Sequence, residues 1–514
     1  MNCSLNAARR LRELDSLDGR APIDVLVIGG GVTGAGVALD AASRGLSVVL
    51  VEKHDLAFGT SRWSSKLVHG GLRYLASGAV AIAHESAVER GILMTRTAPH
   101  LVHPFPQIVP LLPSLSHGQA ALVRTGLLAG DALRAVARTP AAVLPRSRRV
   151  DAATVWAYAP TVRTDGLRGG LLAWDGQLCD DARLVVAIAR TAAGFGATVL
   201  TRVAASEVTG HGAVLRDELT GRRYDLDARM VVNAAGVWAG EIARDVTLRP
   251  SRGTHLVLSQ ASFGGLSAGL TVPVPGTTSR FVFALPAADE RVYVGITDED
   301  APGAVPDVPT ASEAEIDFLL DTVSSALRTP LSRADLLGTY SGLRPLLDTG
   351  SDDTADISRR HAVLTAPDGL VTIVGGKLTT YRRMAQDAVD AALAVSGRTA
   401  APCHTRRLPL VGAADRATLA RLAAPQRLVR RYGTDALDVL AGAAADPELL
   451  APVGERVQTI GAELLFGVCH EGALDVDDLL DRRTRVGLSA LDREAARPAA
   501  ELALARGSAR PSSG

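Results

Sequence analysis

The chain has 514 residues, enough for about two to four domains of ordinary size. Its 55 Lys and Arg balance 55 Asp and Glu, with 47% hydrophobic and 21% charged residues, which excludes global disorder and the basic field that nucleic acid requires, so any anion must be met by local cations. Cys3, Cys179, Cys403 and Cys469 form no Cys-x-x-Cys pair, arguing against an iron-sulfur cluster, a redox dithiol or a cysteine zinc site.

At the N-terminus, Arg9, Arg10 and Arg12 precede no apolar core of a signal peptide, and no apolar run reaches the about 18 to 20 residues that cross a bilayer. The expectation is a soluble or peripheral protein. "IDVLVI" at 23–28 reads as a buried parallel strand, followed by "GGGVTGAG", a small-residue helix ending at Gly45, and a second strand, "SVVLVEK". Gly29, Gly31 and Gly34 fit G-x-G-x-x-G in this β-α-β context, with Glu52 about 20 residues later placed to accept from an adenosine ribose. The glycines allow backbone close to a pyrophosphate, whose charge meets a helix N-terminus.

Next comes "SSKLVHGGLRYLASG" at 64–78, which crowds Lys66, His69, Arg73 and Tyr74 around Gly70 and Gly71. The segment "GQAALVRTGLLAGDALRAVARTPAAVLPRSRRV" then mixes apolar helix formers with arginine. It fits either a helix lying at a bilayer surface or an ordinary amphipathic helix packed on its own domain. Residues 181–203 read as helix then strand, with Asp180 and Asp181 as a helix cap and first turn. Residues 228–244 and 369–393 each repeat strand, glycine turn and helix. Three such units far apart imply a discontinuous domain wrapped around one large ligand, a habit of flavoproteins more than of simple NAD dehydrogenases. Between them, "GTHLVLS", "RFVFALP" and "RVYVGITD" read as antiparallel strands of a second sheet. After about residue 394 amphipathic helices dominate, and "RGSARPSSG" reads as a floppy tail. His54, His84, His100 and His103 show no metal spacing, and no metal is expected.

The expected architecture is α/β: a discontinuous Rossmann-like FAD-binding domain (20–100, 150–245 and 336–393), a sheet-based substrate domain (101–149 and 246–335) and a helical C-terminal domain (394–510). Seven strings in order, "DVLVIGGGVTGAGVALDAASRGLSVVLVEK", "GTSRWSSKLVHGGLRYL", "WDGQLCDDARLV", "VVNAAGVWA", "RGTHLV", "TYSGLRPL" and "VGGKLTTYR", make the chain resemble the FAD-dependent glycerol-3-phosphate dehydrogenases. These belong with the glutathione-reductase-like flavoproteins that include the D-amino acid oxidase type. The segment 118–150 is poorer in tryptophan and tyrosine than the family pattern, which weakens the case for stable membrane docking.

The resemblance implies oxidation of sn-glycerol 3-phosphate to dihydroxyacetone phosphate with non-covalent FAD, and electrons passed to a quinone. An oxidase using oxygen and a non-catalytic flavin-binding interaction protein are the alternatives. It implies a cytoplasmic protein, peripheral on the inner face of the membrane, with a homodimer among the expected assemblies and no nucleic acid partner. Cofactor contacts are expected from Gly29, Gly31, Gly34, Glu52, Thr60, Ser61, Ser64, Ser65, Lys66, Leu67, His69, Gly70, Gly71, Ala235, Gly236, Gly376, Lys377, Leu378 and Thr379. Substrate contacts are expected from Arg73, Tyr74, His255, Arg344, Lys377 and Thr379. Physical chemistry supports this set: a phosphate dianion favours arginine forks, for which Arg73 and Arg344 are the candidates. Hydride transfer from an alcohol carbon needs a proton acceptor or a local positive field at its oxygen. His255 is the candidate base, and Arg344 or Lys377 the alternative. Lys66 and His69 also admit a purely structural reading, in which they satisfy backbone groups beside the cofactor.

Overall fold

A computed structural model describes residues 2–71, 79–277, 280–348 and 360–509. Its first sheet has eight strands. Val371–Gly375, Arg223–Asn233, Ile23–Ile28, Val48–Glu52 and Thr198–Thr201 run parallel in that spatial order. His361–Thr365 closes one edge antiparallel, and a hairpin of Val203–Thr209 and Gly212–Asp217 extends the early part of 223–233. The near-continuous apolar runs follow from burial on both faces. Val25 and Val27 pack with the helices Val32–Ser43, Asp181–Gly194 and Tyr381–Ser396, while Ile23, Leu26 and Ile28 pack on the opposite side with Leu14 and Leu215. The crevice beyond the carboxyl end of Ile23–Ile28 is thus framed by parallel neighbours on both sides, the usual ligand position in such sheets.

The second sheet has ten strands and is mostly antiparallel. Directly paired residues share a face, so the ladder places Tyr340, His255, Gly295, Phe283 and Thr271 in one row across it. This sheet also takes Leu67–Val68, Arg148–Val150, Gly170–Leu178 and Leu336–Arg344. The chain crosses between the sheets several times, and a strand of nine residues carries no mark of which sheet receives it.

No strand follows Gly375 among the described residues, and helices such as Gln426–Tyr432, Gly461–His470 and Ala490–Ala509 build two further cores. The last helix runs to Ala509, so the expected tail is ordered at its start. Gly507 lets that helix approach Val468, whose Cγ1 would stand 2.3 Å from an added Cβ. Buried ion pairs join this region to the first sheet. Arg183 pairs with Glu471, Arg431 Nη2 with Asp180 Oδ2 at 2.9 Å, and Arg483 with both oxygens of Asp55 at 2.8 Å. Losing one partner of such a pair strands a buried charge, at a cost of about 3 to 5 kcal/mol.

His100 and His103 lie in the turn before the strand Val102–Pro110 and at its start, both largely dehydrated. Burial, with His103 and Arg183 nearby, pushes His100 down to about 3, and burial with Arg430 pushes His103 down to about 4. Folded values below the ordinary value of about 6.5 mean that their contribution to stability is complete above pH 6.5 and lost as pH falls towards 4 and 3. Each adds a slope of up to about 1.4 kcal/mol per pH unit. The melting temperature should drop between pH 6.5 and 4.5, and less steeply in a His100→Asn/His103→Asn variant. An unchanged slope in that variant would assign the acid sensitivity to other groups.

Candidate active site

The turn after Ile23–Ile28 is built by close approach. Gly29 has φ 111°, and a Cβ there would stand 2.6 Å from the carbonyl oxygen of Ala234. A Cβ on Gly34 would stand 1.8 Å from the carbonyl oxygen of Gly29, so only glycine lets the helix start so near the strand end. Gly31 caps that helix, and the Val32 N–H donates to Ser61 Oγ at 2.9 Å. Glu52 accepts from the Gly30 N–H at 2.6 Å and the His54 N–H at 2.8 Å, and burial raises its pKa. Its carboxylate is thereby fixed beside the glycine turn.

From this turn a cavity of about 1340 Å³ runs towards the second sheet, larger than the about 300 to 1,000 Å³ of ordinary ligand pockets. Gly29, Gly31, Glu52, Ala235 and Gly236 line its nucleotide end. Thr60, Ser61, Ser64, Ser65, Leu67 and His69 form one wall, and Gly376, Lys377, Leu378 and Thr379 face the cavity from the third glycine turn. Gly375 and Gly376, at φ 76° and 72°, turn the chain from strand to helix there. Arg344 also lines the cavity, its fork bound to Ser251 Oγ, Asp298 Oδ1 and the Thr297 carbonyl, each at 3.0 Å. Lys377 Nζ donates to Ser86 Oγ at 2.7 Å.

Other expected residues stand away from the cavity. Lys66, at φ 55° and 4% exposed, turns backwards: its Nζ donates to the Ser64 carbonyl at 2.9 Å, lies 3.3 Å from Asp181 Oδ2 and sits 4.2 Å above the Tyr340 ring. Burial, only partly offset by Asp181, holds its ammonium pKa down to about 8. Gly70 is explained by the buried pair of Arg90 and Asp175, since an added Cβ would stand 2.5 Å from Arg90 Nη1. Gly71 donates to His69 Nδ1 at 3.2 Å. Lys66, Gly70 and Gly71 thus shape the wall from behind. Gly34 lies under the first glycine turn, against Gly29 and Ala234.

His255 is fully buried, stacked on Tyr340 with ring centroids 4.6 Å apart, and its Nε2 lies 2.8 Å from Ser65 Oγ. Ser65 stands between it and the cavity. Burial first, then Lys66 and Arg344, depress its pKa well below the usual value, so the ring is neutral. Arg73 and Tyr74 lie outside the described residues. Asp180 caps the helix Asp181–Gly194, and Asp181 accepts from the Ser64 N–H at 2.9 Å and hydroxyl at 2.8 Å. No metal-binding group of His, Cys, Asp and Glu occurs among the described residues.

Sequence reading missed the apolar part of the site. Trp63, Trp238, Phe281 and Phe283 line the cavity, as do Leu122, Val123 and Leu127 of the helix His117–Val136. Phe281 and Phe283, two apart on one strand, share a face, a signal available from alternation once the strand is known to border a ligand. Ser86 and Asp298, which hold Lys377 and Arg344, carry no signal of their own.

The glycine turn, the fixed carboxylate and the long cavity define a dinucleotide-binding protein, and the glycine turn at Gly375 and Gly376 brings Lys377 to the same cavity. Residues 24–382 match the family described as FAD dependent oxidoreductase, and residues 403–506 match the C-terminal domain of alpha-glycerophosphate oxidase. Glycerol-3-phosphate dehydrogenase 1 of Mycobacterium tuberculosis is 59% identical over 96% of this chain and 97% of its own. The mitochondrial glycerol-3-phosphate dehydrogenase of Arabidopsis thaliana is 36% identical over 92% of this chain and 81% of its own. The structure of the Bacillus halodurans glycerol-3-phosphate dehydrogenase complexed with FAD superposes with a TM-score of 0.75, at 26% identity, over 98% of this chain and 94% of that one. The chain belongs to the glycerol-3-phosphate dehydrogenases of the FAD-dependent oxidoreductase family.

The glycine contacts yield a direct test. Gly34→Val places a branched side chain where even a Cβ meets the Gly29 carbonyl. Purified Gly34→Val should lack the yellow flavin band, and a variant with wild-type FAD content would remove this approach from the cofactor site.

Proposed function

We propose that the protein oxidises sn-glycerol 3-phosphate to dihydroxyacetone phosphate. The observation that carries this reading is the arrangement of two cations, Arg344 and Lys377, on one cavity continuous with the nucleotide turn. The near-full-length likeness to named glycerol-3-phosphate dehydrogenases supports it. Bound FAD supplies the hydride acceptor. The chain's own residues bind the ester, orient its secondary alcohol and manage the proton of its hydroxyl.

Arg344, on the cavity wall, is the arginine we assign to the phosphate. Its fork is oriented by three oxygens, which reduces the freedom lost on binding. Lys377, with Thr379 beside it, begins the turn Leu378–Thr380 and brings positive charge to the reacting end. The neutral ring of His255 is linked to the cavity through Ser65 Oγ, so its influence on the substrate hydroxyl passes through that serine. A positive field that stabilises the developing alkoxide therefore fits the geometry better than direct proton removal by His255.

The acceptor we propose is a membrane quinone. The helix His117–Val136 borders the cavity through Leu122 and Leu127, while Leu122, Leu128 and Val136 are more than half exposed. Arg124, Arg138, Arg146, Arg148 and Arg149 are exposed on the helix and the segment after it. Aliphatic side chains with arginines suit a helix resting on an anionic lipid surface, peripheral because no described helix is long and apolar enough to cross a membrane.

Anaerobic mixing with sn-glycerol 3-phosphate should bleach the flavin band, whereas glycerol and a 2-hydroxy acid should not; a band that stays yellow with the phosphate ester sinks the substrate assignment. Arg344→Ala should raise KM for the ester by about 100-fold or more with FAD content unchanged, and unchanged kinetics would remove Arg344 from the phosphate site. Leu128→Asp/Val136→Asp, at two exposed positions outside the cavity lining, should lose binding to vesicles containing phosphatidylglycerol and turnover with membrane quinone, while anaerobic bleaching keeps its wild-type rate. Oxygen consumption matching substrate oxidation in the isolated protein would instead identify an oxidase.

A further inference from the structure

The wall of the cavity has a back, and the C-terminal region grips it. Along Gly59–Leu67, Trp63, Ser64 and Ser65 face the cavity, whereas Arg62 and Lys66 are buried behind it, 2% and 4% exposed. Ser64 is held by Asp181 and Ser65 by His255. Arg62, whose carbonyl immediately precedes Trp63, is held by Arg485. Arg485 Nη2 donates to that carbonyl at 2.6 Å, and its guanidinium carbon lies 4.9 Å from the centre of the Trp63 ring. Arg485 is 5% exposed and touches no part of the cavity.

The turn that presents Arg485 is itself fixed from two sides. Arg482 Nε and Arg483 Nη1 bind Asp55 Oδ2 at 2.6 and 2.8 Å, tying the turn to the loop that leaves the first sheet. Arg291, 1% exposed, donates to the carbonyls of Arg485 and Val486 at 2.9 and 3.1 Å and pairs with Asp492 at 2.7 Å, tying it to the second sheet. Two non-glycine residues in the left-handed region interact here, Lys66 and Arg485, at φ 55° and 64°. Such residues persist where their surroundings over-determine them, and they gather at ligand sites.

We propose that Arg485 is a positioning residue of the flavin site. By holding the Arg62 carbonyl it fixes Trp63 and the two serines after it, so the C-terminal region controls how firmly FAD is retained without touching it. The proposal rests on FAD as the ligand of the cavity. A merely structural role predicts something different, namely loss of melting temperature with flavin retention unchanged in the folded protein.

The test follows FAD release from full-length holoenzyme by the fluorescence regained on dilution, in wild type, Arg485→Ala, Arg485→Lys and Arg506→Ala. Arg506 pairs with Asp446 within the C-terminal region, away from the wall, and controls for stability alone. Arg485→Ala should release FAD about tenfold faster, as loss of a charged, buried hydrogen bond predicts, and shift the visible flavin band. Arg485→Lys, which keeps the charge but loses the planar fork, should release FAD at a rate between those of wild type and Arg485→Ala. Arg506→Ala should change neither release nor spectrum, whatever its melting temperature. Release from Arg485→Ala at the wild-type rate, with the band unmoved, overturns the proposal. Should Arg485→Ala fail to fold, Arg485→Gln carries the test on the same two readouts. Wild-type protein that holds no FAD even after reconstitution would overturn the cofactor assignment, and this proposal with it.

Discussion

The hydrogen bonds that hold Gly59–Leu67 from behind are the constraint on which the site depends. This segment leaves the loop after the first sheet and enters the second sheet at Leu67–Val68, so it is the seam between the two halves of the cavity. Its cavity face is polar and must be presented to a ligand, so the bonds that fix it have to come from the other side. Asp181, on the first turn of a helix of the first sheet, takes Ser64; His255, on a strand of the second, takes Ser65; Arg485 takes Arg62. Three parts of the chain that share no local sequence thus converge on about five residues of wall.

That convergence brings many charges into a dry region. Asp55, Asp181, Glu471, Arg183, Lys66 and Arg483 are all essentially buried. The arginines are numerous enough that Arg62, stacked between Phe58 and Trp63, has its nearest carboxylate only at 3.9 Å, and burial with Arg482 and Arg485 holds its pKa down to about 9. Buried ion pairs are weak contributors to net stability, but they are intolerant of misalignment, because an unpaired charge in low dielectric is costly. A joint built this way locks one arrangement of the C-terminal region against the wall.

Legibility in the sequence followed the range of the physical cause. The strand, glycine turn and helix at 23–43 was readable because strand, steric requirement and helix are neighbours in the chain, and the contacts at Gly29 and Gly34 are of the kind the motif implies. The second sheet was readable as strands but not as a set of partners: Gly170–Leu178 pairs with Val102–Pro110 and Leu336–Arg344 with Ser251–Ser259, each across a long stretch of intervening chain. Lys66 bonds the Ser64 carbonyl and Asp181, as its structural reading implies. Residue type marked His255 as a candidate base, yet it is buried behind Ser65, because type does not tell which side of a segment faces the ligand. The supports of Arg344 and Lys377, Asp298 and Ser86, were invisible for the same reason.

The electrostatics of the row across the second sheet then bear on the chemistry. Burial first, and then Lys66 and Arg344, disfavour a second proton on His255, so the ring stays neutral beside these cations. A neutral ring stacked on Tyr340 and bonded to Ser65 can fix the serine's hydroxyl without adding charge of its own. In the proposed reaction, the positive charge near the reacting end comes from the Arg344 guanidinium on one strand and the Lys377 ammonium at a helix start. In the proposed oxidation, the anionic phosphate and the oxygen that loses its proton both gain from the same two cations. Separating a fixed field from a neutral, hydrogen-bonding scaffold lets one cavity bind a dianion and still favour a further negative charge beside it.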